Sequence, residues 1–100
     1  MLVFYNYVEV QHPVNQFFEG INGTGRYFSL NSGDSTAHLN FSDNTSSVRV
    51  APRTLVILYE HINFHGDVKI LENRSNISLL FNIHDDFNDR ASSIKTYRIC

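Results

Sequence analysis

Apolar and polar positions alternate along most of the chain with the two-residue period of extended strands. Leu2, Phe4, Val8 and Val10 share one parity, and QFFEG and RYFSL flank a glycine-rich turn. SSVRV, TLVILYE, DVKIL and SSIKTYRI are short β-branched or aromatic runs bounded by Gly, Asn, Asp or Pro. Many short strands with close turns predict an all-β sandwich or barrel. Asn76 to Ile83 is the one stretch whose spacing suits a short helical turn, because Ile77, Leu80 and Phe81 fall at i, i+3 and i+4.

With 100 residues the chain can bury one modest core, so one domain is expected. The formal net charge is −2, and Arg26, Arg49, Arg53, Lys69, Arg74, Arg90, Lys95 and Arg98 are scattered singly. No basic stripe stands ready to neutralise a row of phosphates, which argues against nucleic acid as a partner. Asn6 and Glu9 break the apolar run of MLVFYNYVEV before a signal-peptide core or membrane span is complete, and no basic n-region precedes it. A cytoplasmic chain, or one exported without a classical signal peptide, is the expectation. Cys100 is the only cysteine, so neither an internal disulfide nor a cysteine metal knuckle can form. Asn-x-Ser/Thr recurs at Asn22, Asn40, Asn44, Asn73 and Asn76, which an Asn- and Ser-rich composition is enough to explain.

The chain also repeats itself. FEGINGTG (Phe18 to Gly25) and YEHINFHG (Tyr59 to Gly66) share an aromatic start, Glu, Ile, Asn and a closing Gly. Further on, FSDNTSSVRV (Phe41 to Val50) and FNDRASSIKT (Phe87 to Thr96) share Phe, Asp, two serines, a β-branched residue and a base. Two matches in one order make a tandem pair of motifs with APRT (Ala51 to Thr54) as the joint. The closing Gly suits a positive φ at the end of a tight hairpin. Each Asp and serine pair can bond backbone where a strand begins.

An aromatic, four residues, an aromatic, one residue and Gly, with Asn/Asp-Asn/Asp-x-x-Ser/Thr-Ser further along, resembles the Greek-key signature of the βγ-crystallin superfamily. The second copy fits through Tyr59, Phe64, Gly66 and Asn88 to Ser93; the first departs at Gly23 and Ser42. The resemblance implies a β-sandwich of two four-stranded Greek-key motifs, motif one at 16–50 and motif two at 54–100. Residues 1–15 remain an extension that the family does not explain. Phe18, Tyr27, Phe41, Val48, Tyr59, Phe64, Phe87 and Ile94 are the expected core or corner residues. The extension is expected to form an additional strand along its own sandwich or against a second copy, and Gly23 is expected to leave an aromatic-sized vacancy that Phe4 fills.

The resemblance also implies two calcium ions at one end of the domain. Calcium takes six to eight hard oxygens, and such loops offer carboxylates, carbonyls and hydroxyls. The second Asn/Asp would give a side-chain oxygen and the next residue a carbonyl, with a serine hydroxyl from the opposite motif and a hairpin carbonyl completing the set. Carried over, the candidates are Glu19, Asp43, Asn44 and Ser46 in the first motif and Glu60, Asp89, Arg90 and Ser92 in the second; Glu19, Glu60, Asn44 and Arg90 would act through backbone carbonyls.

Other chemistry is thinly represented. His61 and His65 sit in the second hairpin, where a spacing of four does not by itself put two rings on one face, and read as surface histidines rather than transition-metal ligands. His84 beside Asp85 and Asp86 reads as a polar cluster, and no phosphate loop, nucleophile elbow or zinc-hydrolase pattern is present, so no enzyme activity is expected. A calcium-binding module is the leading functional expectation. A structural or adhesion domain with decayed sites, and a small inhibitor or toxin on the same scaffold, are the alternatives.

Overall fold

The computed structural model describes residues 14–37, 45–83, 87 and 91–99. Eight strands form: β1 (Val14–Phe18), β2 (Tyr27–Asn31), β3 (Ser35–Thr36), β4 (Ser47–Val50), β5 (Thr54–His61), β6 (His65–Asn73), β7 (Leu79–Asn82) and β8 (Ser93–Arg98). They make two antiparallel four-stranded sheets, ordered β2-β1-β4-β7 and β3-β8-β5-β6. Each copy of the repeat sends its third strand into the other copy's sheet, so neither Greek key closes alone. That exchange makes a single cooperative sandwich out of two short motifs.

Strand alternation builds the core. In β5, Thr54, Val56 and Leu58 point inward and are buried, whereas Leu55, Ile57 and Tyr59 face outward and are half-buried. Phe17, Val48 and Val50 of the first sheet meet Val56, Leu58, Leu71 and Ile94 of the second, with Ile83, Phe87 and Ala91 completing the cluster. Burial of each large member stabilises by about 1.5–3 kcal/mol. Phe28 stacks on Phe17 at 4.8 Å between ring centroids, a cross-strand pair in register.

Two buried asparagines hold the joint between the copies. Asn15 Oδ1 accepts from the Ala51 amide at 2.8 Å, while its Nδ2 donates to the Leu30 carbonyl at 3.0 Å. Asn73 Nδ2 donates to the carbonyls of Val50 and Ala51, each at 3.1 Å, and of Ile77 at 2.8 Å. Asn73 is 0% exposed, so the sequon it begins is closed to a glycan in the folded protein.

The repeat extends to backbone angles. Asn22, Gly23 and Gly25 have φ of 57°, 70° and 81°; Asn63, Phe64 and Gly66 have 59°, 61° and 89°. In each hairpin the second serine of the distant serine pair bonds both sides of this turn. Ser47 Oγ donates to the Gly20 carbonyl at 2.6 Å and accepts from the Gly23 amide at 2.9 Å. Ser93 Oγ donates to the His61 carbonyl at 2.6 Å and accepts from the Phe64 amide at 3.0 Å. Phe64 is a bulky residue in the left-handed region, a cost of about 1–2 kcal/mol. It is offset by an edge-on contact with Tyr59 at 5.5 Å and by Lys95 Nζ at 4.5 Å from its ring centre.

Several expectations change. Residues 79–82 are strand, not a helical turn. Asn73 and Ser75 occupy the Ile77 carbonyl that a helix would use, and Leu79–Asn82 pairs with Val50–Ser47. The apparent i, i+3, i+4 spacing hides a period of two: Phe81 and Ile83 turn toward the core, and Leu80 and Asn82 toward the first hairpin. Gly23 leaves no vacancy, because Leu80 and Arg49 lie 3.4–3.5 Å from where its Cβ would stand. Phe18 finds its ring partner in Tyr27, 5.4 Å away, at the register position that Val68 takes opposite Tyr59 in the second copy. Tyr27 is consequently a surface residue, 53% exposed, rather than core. Phe18, Val48, Phe87 and Ile94 are buried as expected, Tyr59 and Phe64 form a half-buried corner, and Phe41 lies outside the described residues. The extension expected to form a strand also lies outside them, up to Pro13; β1 itself begins at Val14.

Each serine latch predicts a measurable loss. Ser47→Ala or Ser93→Ala removes the partner of one carbonyl and one amide inside a folded hairpin, and each should lower unfolding free energy by about 1–3 kcal/mol in urea titration. Ser29→Ala, outside both latches, should be close to neutral.

Candidate functional site

The latches fix where the neighbouring serines stand. The Ser46 amide donates to the Phe18 carbonyl at 2.8 Å, and the Ser92 amide donates to the Tyr59 carbonyl at 2.8 Å. The next residue along each hairpin is a glutamate, so Ser46 lies beside Glu19 and Ser92 beside Glu60. The fold thus brings four of the eight calcium candidates together as two equivalent pairs, one per copy. Asp43, Asn44, Asp89 and Arg90 lie outside the described residues.

The glutamate side chains are engaged elsewhere. The Glu19 carboxylate accepts from Arg26, through Nε at 3.1 Å and a closer contact from Nη2. That hydrogen bond, together with the positive charge, holds the Glu19 carboxyl below the usual carboxylate range and raises the Arg26 guanidinium. Glu60 Oε1 accepts from the Asp67 amide at 3.4 Å and stands 3.7 Å from His61 Nε2. With these side chains committed, the atom each glutamate has left to offer is its backbone carbonyl. A serine hydroxyl beside a carbonyl is a neutral, hard-oxygen donor pair, which suits calcium better than a soft transition metal.

The residue before the first serine adds a further polar atom. Thr45 is 1% exposed, and its Oγ1 is the buried side-chain oxygen without a hydrogen-bond partner among the described residues. Ala91 occupies the same place in the second copy. A buried hydroxyl that stays without a partner costs about 1–3 kcal/mol.

The two histidines are closer than their spacing suggested. His61 and His65 are directly opposite across the β5–β6 turn, beyond a bulge in the ladder. No group of three His, Cys, Asp or Glu suited to a metal ion occurs among the described residues. His84, Asp85 and Asp86 lie outside them.

Sequence reasoning passed over two features. Asn22 and Asn82 bind each other reciprocally: the Asn22 amide donates to Asn82 Oδ1 at 2.7 Å and Asn82 Nδ2 donates to Asn22 Oδ1 at 2.9 Å, tying the first hairpin to the strand lent by the second copy. The other is Asn73, beneath the β6–β7 loop. Both contacts bridge residues far apart in the chain or buried by other elements, and an Asn in an Asn-rich sequence carries no local sign of them.

Comparison with known proteins agrees with this architecture. A model of peptidase inhibitor family I36 matches residues 17–71. No curated protein matches the chain. Among solved structures, a single-site mutant of a βγ-crystallin domain from Clostridium beijerinckii is 30% identical, covers 85% of this chain and 97% of its own, and superposes with a TM-score of 0.67. A βγ-crystallin domain from Flavobacterium johnsoniae is 27% identical over 85% of this chain and 93% of its own, with a TM-score of 0.65. A structure concerned with the evolution of the eye lens βγ-crystallin domain fold gives a TM-score of 0.75 over 94% of both chains, and at 18% identity it speaks for the fold alone. Strand exchange, paired hairpins and these likenesses together place the chain in the βγ-crystallin superfamily and in peptidase inhibitor family I36.

Proposed function

We propose that the domain binds calcium at the end of the sandwich where the serine pairs lie, and that the ion ties each loop to the facing hairpin. The observation that carries this reading is the repeated apposition of Ser46 with Glu19 and of Ser92 with Glu60, set by two equivalent backbone hydrogen bonds of 2.8 Å. Asp43 and Asp89 would each contribute a carboxylate, Asn44 and Arg90 their carbonyls. Bound calcium would supply a positive centre that neutral oxygens cannot provide for one another.

Calorimetric titration of the purified chain should give about two equivalents of calcium. With one carboxylate per site and otherwise neutral oxygens, dissociation constants of roughly micromolar to sub-millimolar are expected, and magnesium should compete poorly. Asp43→Ala and Asp89→Ala should each remove about one equivalent. Saturation at about a hundred times the dissociation constant should add roughly 2.7 kcal/mol per site to stability. Absent binding heat together with a calcium-insensitive melting curve would refute the reading.

A second reading concerns the partner, and the match to peptidase inhibitor family I36 over residues 17–71 favours it. In this reading the domain blocks an endopeptidase, and calcium serves as a stiffener of the scaffold. The two readings are compatible and separable. Inhibition of a peptidase panel by the purified chain should persist in the double variant Asp43→Ala/Asp89→Ala at temperatures well below its melting point; an inert wild-type chain would exclude the inhibitory role and leave calcium binding to stand by itself.

A further inference from the structure

We infer that His61 and His65, facing each other across the β5–β6 turn, form a two-histidine site for a borderline divalent transition ion such as zinc, separate from the calcium reading above. Zinc is tetrahedral and takes imidazole nitrogen at about 2.0–2.1 Å, so two ring nitrogens that share one ion stand about 3.3 Å apart. Such a site needs two imidazoles on one side of the backbone, a turn that holds them together before the ion arrives, and surroundings that favour a cation. Water completes the shell.

The register supplies the first need. His61 and His65 are partners in the β5–β6 ladder, and directly opposed residues carry Cβ atoms about 4.5–5.5 Å apart on one face. Gly66 then brings the His61 ring across to the other strand. It lies in a bulge where Gly66 and Asp67 oppose Glu60 alone, it has a φ of 89°, and a Cβ on it would stand 2.6 Å from His61 Cδ2. The His61 imidazole therefore rests on the residue that follows His65. The first copy shows independently that side chains from these two positions meet. Gly20 and Thr24 stand where the second copy has His61 and His65, and a Cβ on Gly20 would run into Thr24 Oγ1. Gly and Thr offer no imidazole, so the second hairpin alone carries the pair.

The turn between the histidines is held without an ion. Ser93 Oγ donates to the His61 carbonyl at 2.6 Å and accepts from the Phe64 amide at 3.0 Å, while the Asn63 amide donates to the Ala37 carbonyl at 2.8 Å. Little ordering of the backbone opposes binding. Both histidines lie at the surface, and the Glu60 carboxylate stands 3.7 Å from His61 Nε2, which puts a negative charge beside the ring and favours a cation there. Calcium prefers hard oxygen to imidazole, so this pair and the serine loops sort ions by donor type. With two protein donors the site is an exposed chelate, not a closed structural zinc centre.

The test is calorimetric titration of the full chain with zinc chloride, with and without excess calcium, alongside the imidazole resonances of the isotope-labelled chain. Wild type should take up an equivalent of zinc that calcium does not displace, and the ring signals of His61 and His65 should move together. His61→Asn and His65→Asn should each weaken that binding by at least about tenfold, with an unchanged melting temperature in zinc-free buffer. His84→Asn, the histidine with acidic sequence neighbours, should leave it unaltered. If either hairpin variant binds zinc as wild type does, the pair is not the site and the inference is overturned. Absence of zinc binding overturns it as well, and so does displacement of the zinc by calcium, which would put the ion in the oxygen-rich loops instead.

Discussion

A hydroxyl that bonds two sides of one turn holds this sandwich together. In each copy the second serine of the pair reaches back to a hairpin much earlier in the chain, donating to one carbonyl and accepting from one amide that a left-handed turn would otherwise leave unmet. Backbone groups in a partly buried turn cost stability when left without partners, so the latch favours the hairpin folded over the sheet. It also positions the residue before it: Ser46 and Ser92 stand next to Glu19 and Glu60 because Ser47 and Ser93 are pinned one step further on. The fold and the candidate cation site therefore share one cause.

Strand exchange carries that local constraint across the molecule. β3 joins β8, and β7 joins β4, so a hairpin in one copy rests on a strand from the other. Asn82 on β7 bonds Asn22 in the first hairpin, and Leu80 beside it covers Gly23. At the joint, Asn73 links the carbonyls of Val50 and Ala51 to the exposed loop that leads into β7. A buried amide that serves both core and surface explains how an exposed loop keeps one shape without help from its own apolar side chains.

The hairpin of the second copy is legible because each of its key positions has a side chain with a local role: Tyr59 and Phe64 meet edge-on, Gly66 takes a φ of 89°, and Ser93 latches the turn. The first copy is legible as a repeat but not in its repairs. Gly23 announces a missing aromatic, yet nothing local says that Leu80 and Arg49 will cover it or that Tyr27 will take over as the ring partner of Phe18. Residues 76–83 mislead for a related reason. Apolar spacing alone fits two periods there, and the choice between them is made by β4 and by Asn73, both distant in the chain or already committed to the core. At the site, the serines and glutamates are legible from the repeat, whereas the Thr45 hydroxyl stands out only once its burial is known.

The central claim is that two equivalent serine–carbonyl pairs face a cation. It is tested most directly by observing backbone amide resonances while calcium is added to the isotope-labelled chain. Shifts should appear together at Glu19 and Ser46 and at Glu60 and Ser92, saturating at about two equivalents, while Ser75 to Ser78 in the β6–β7 loop stay still. Movement confined to exposed acids such as Glu72 and Asp67, or no movement at the serine pairs, would contradict it.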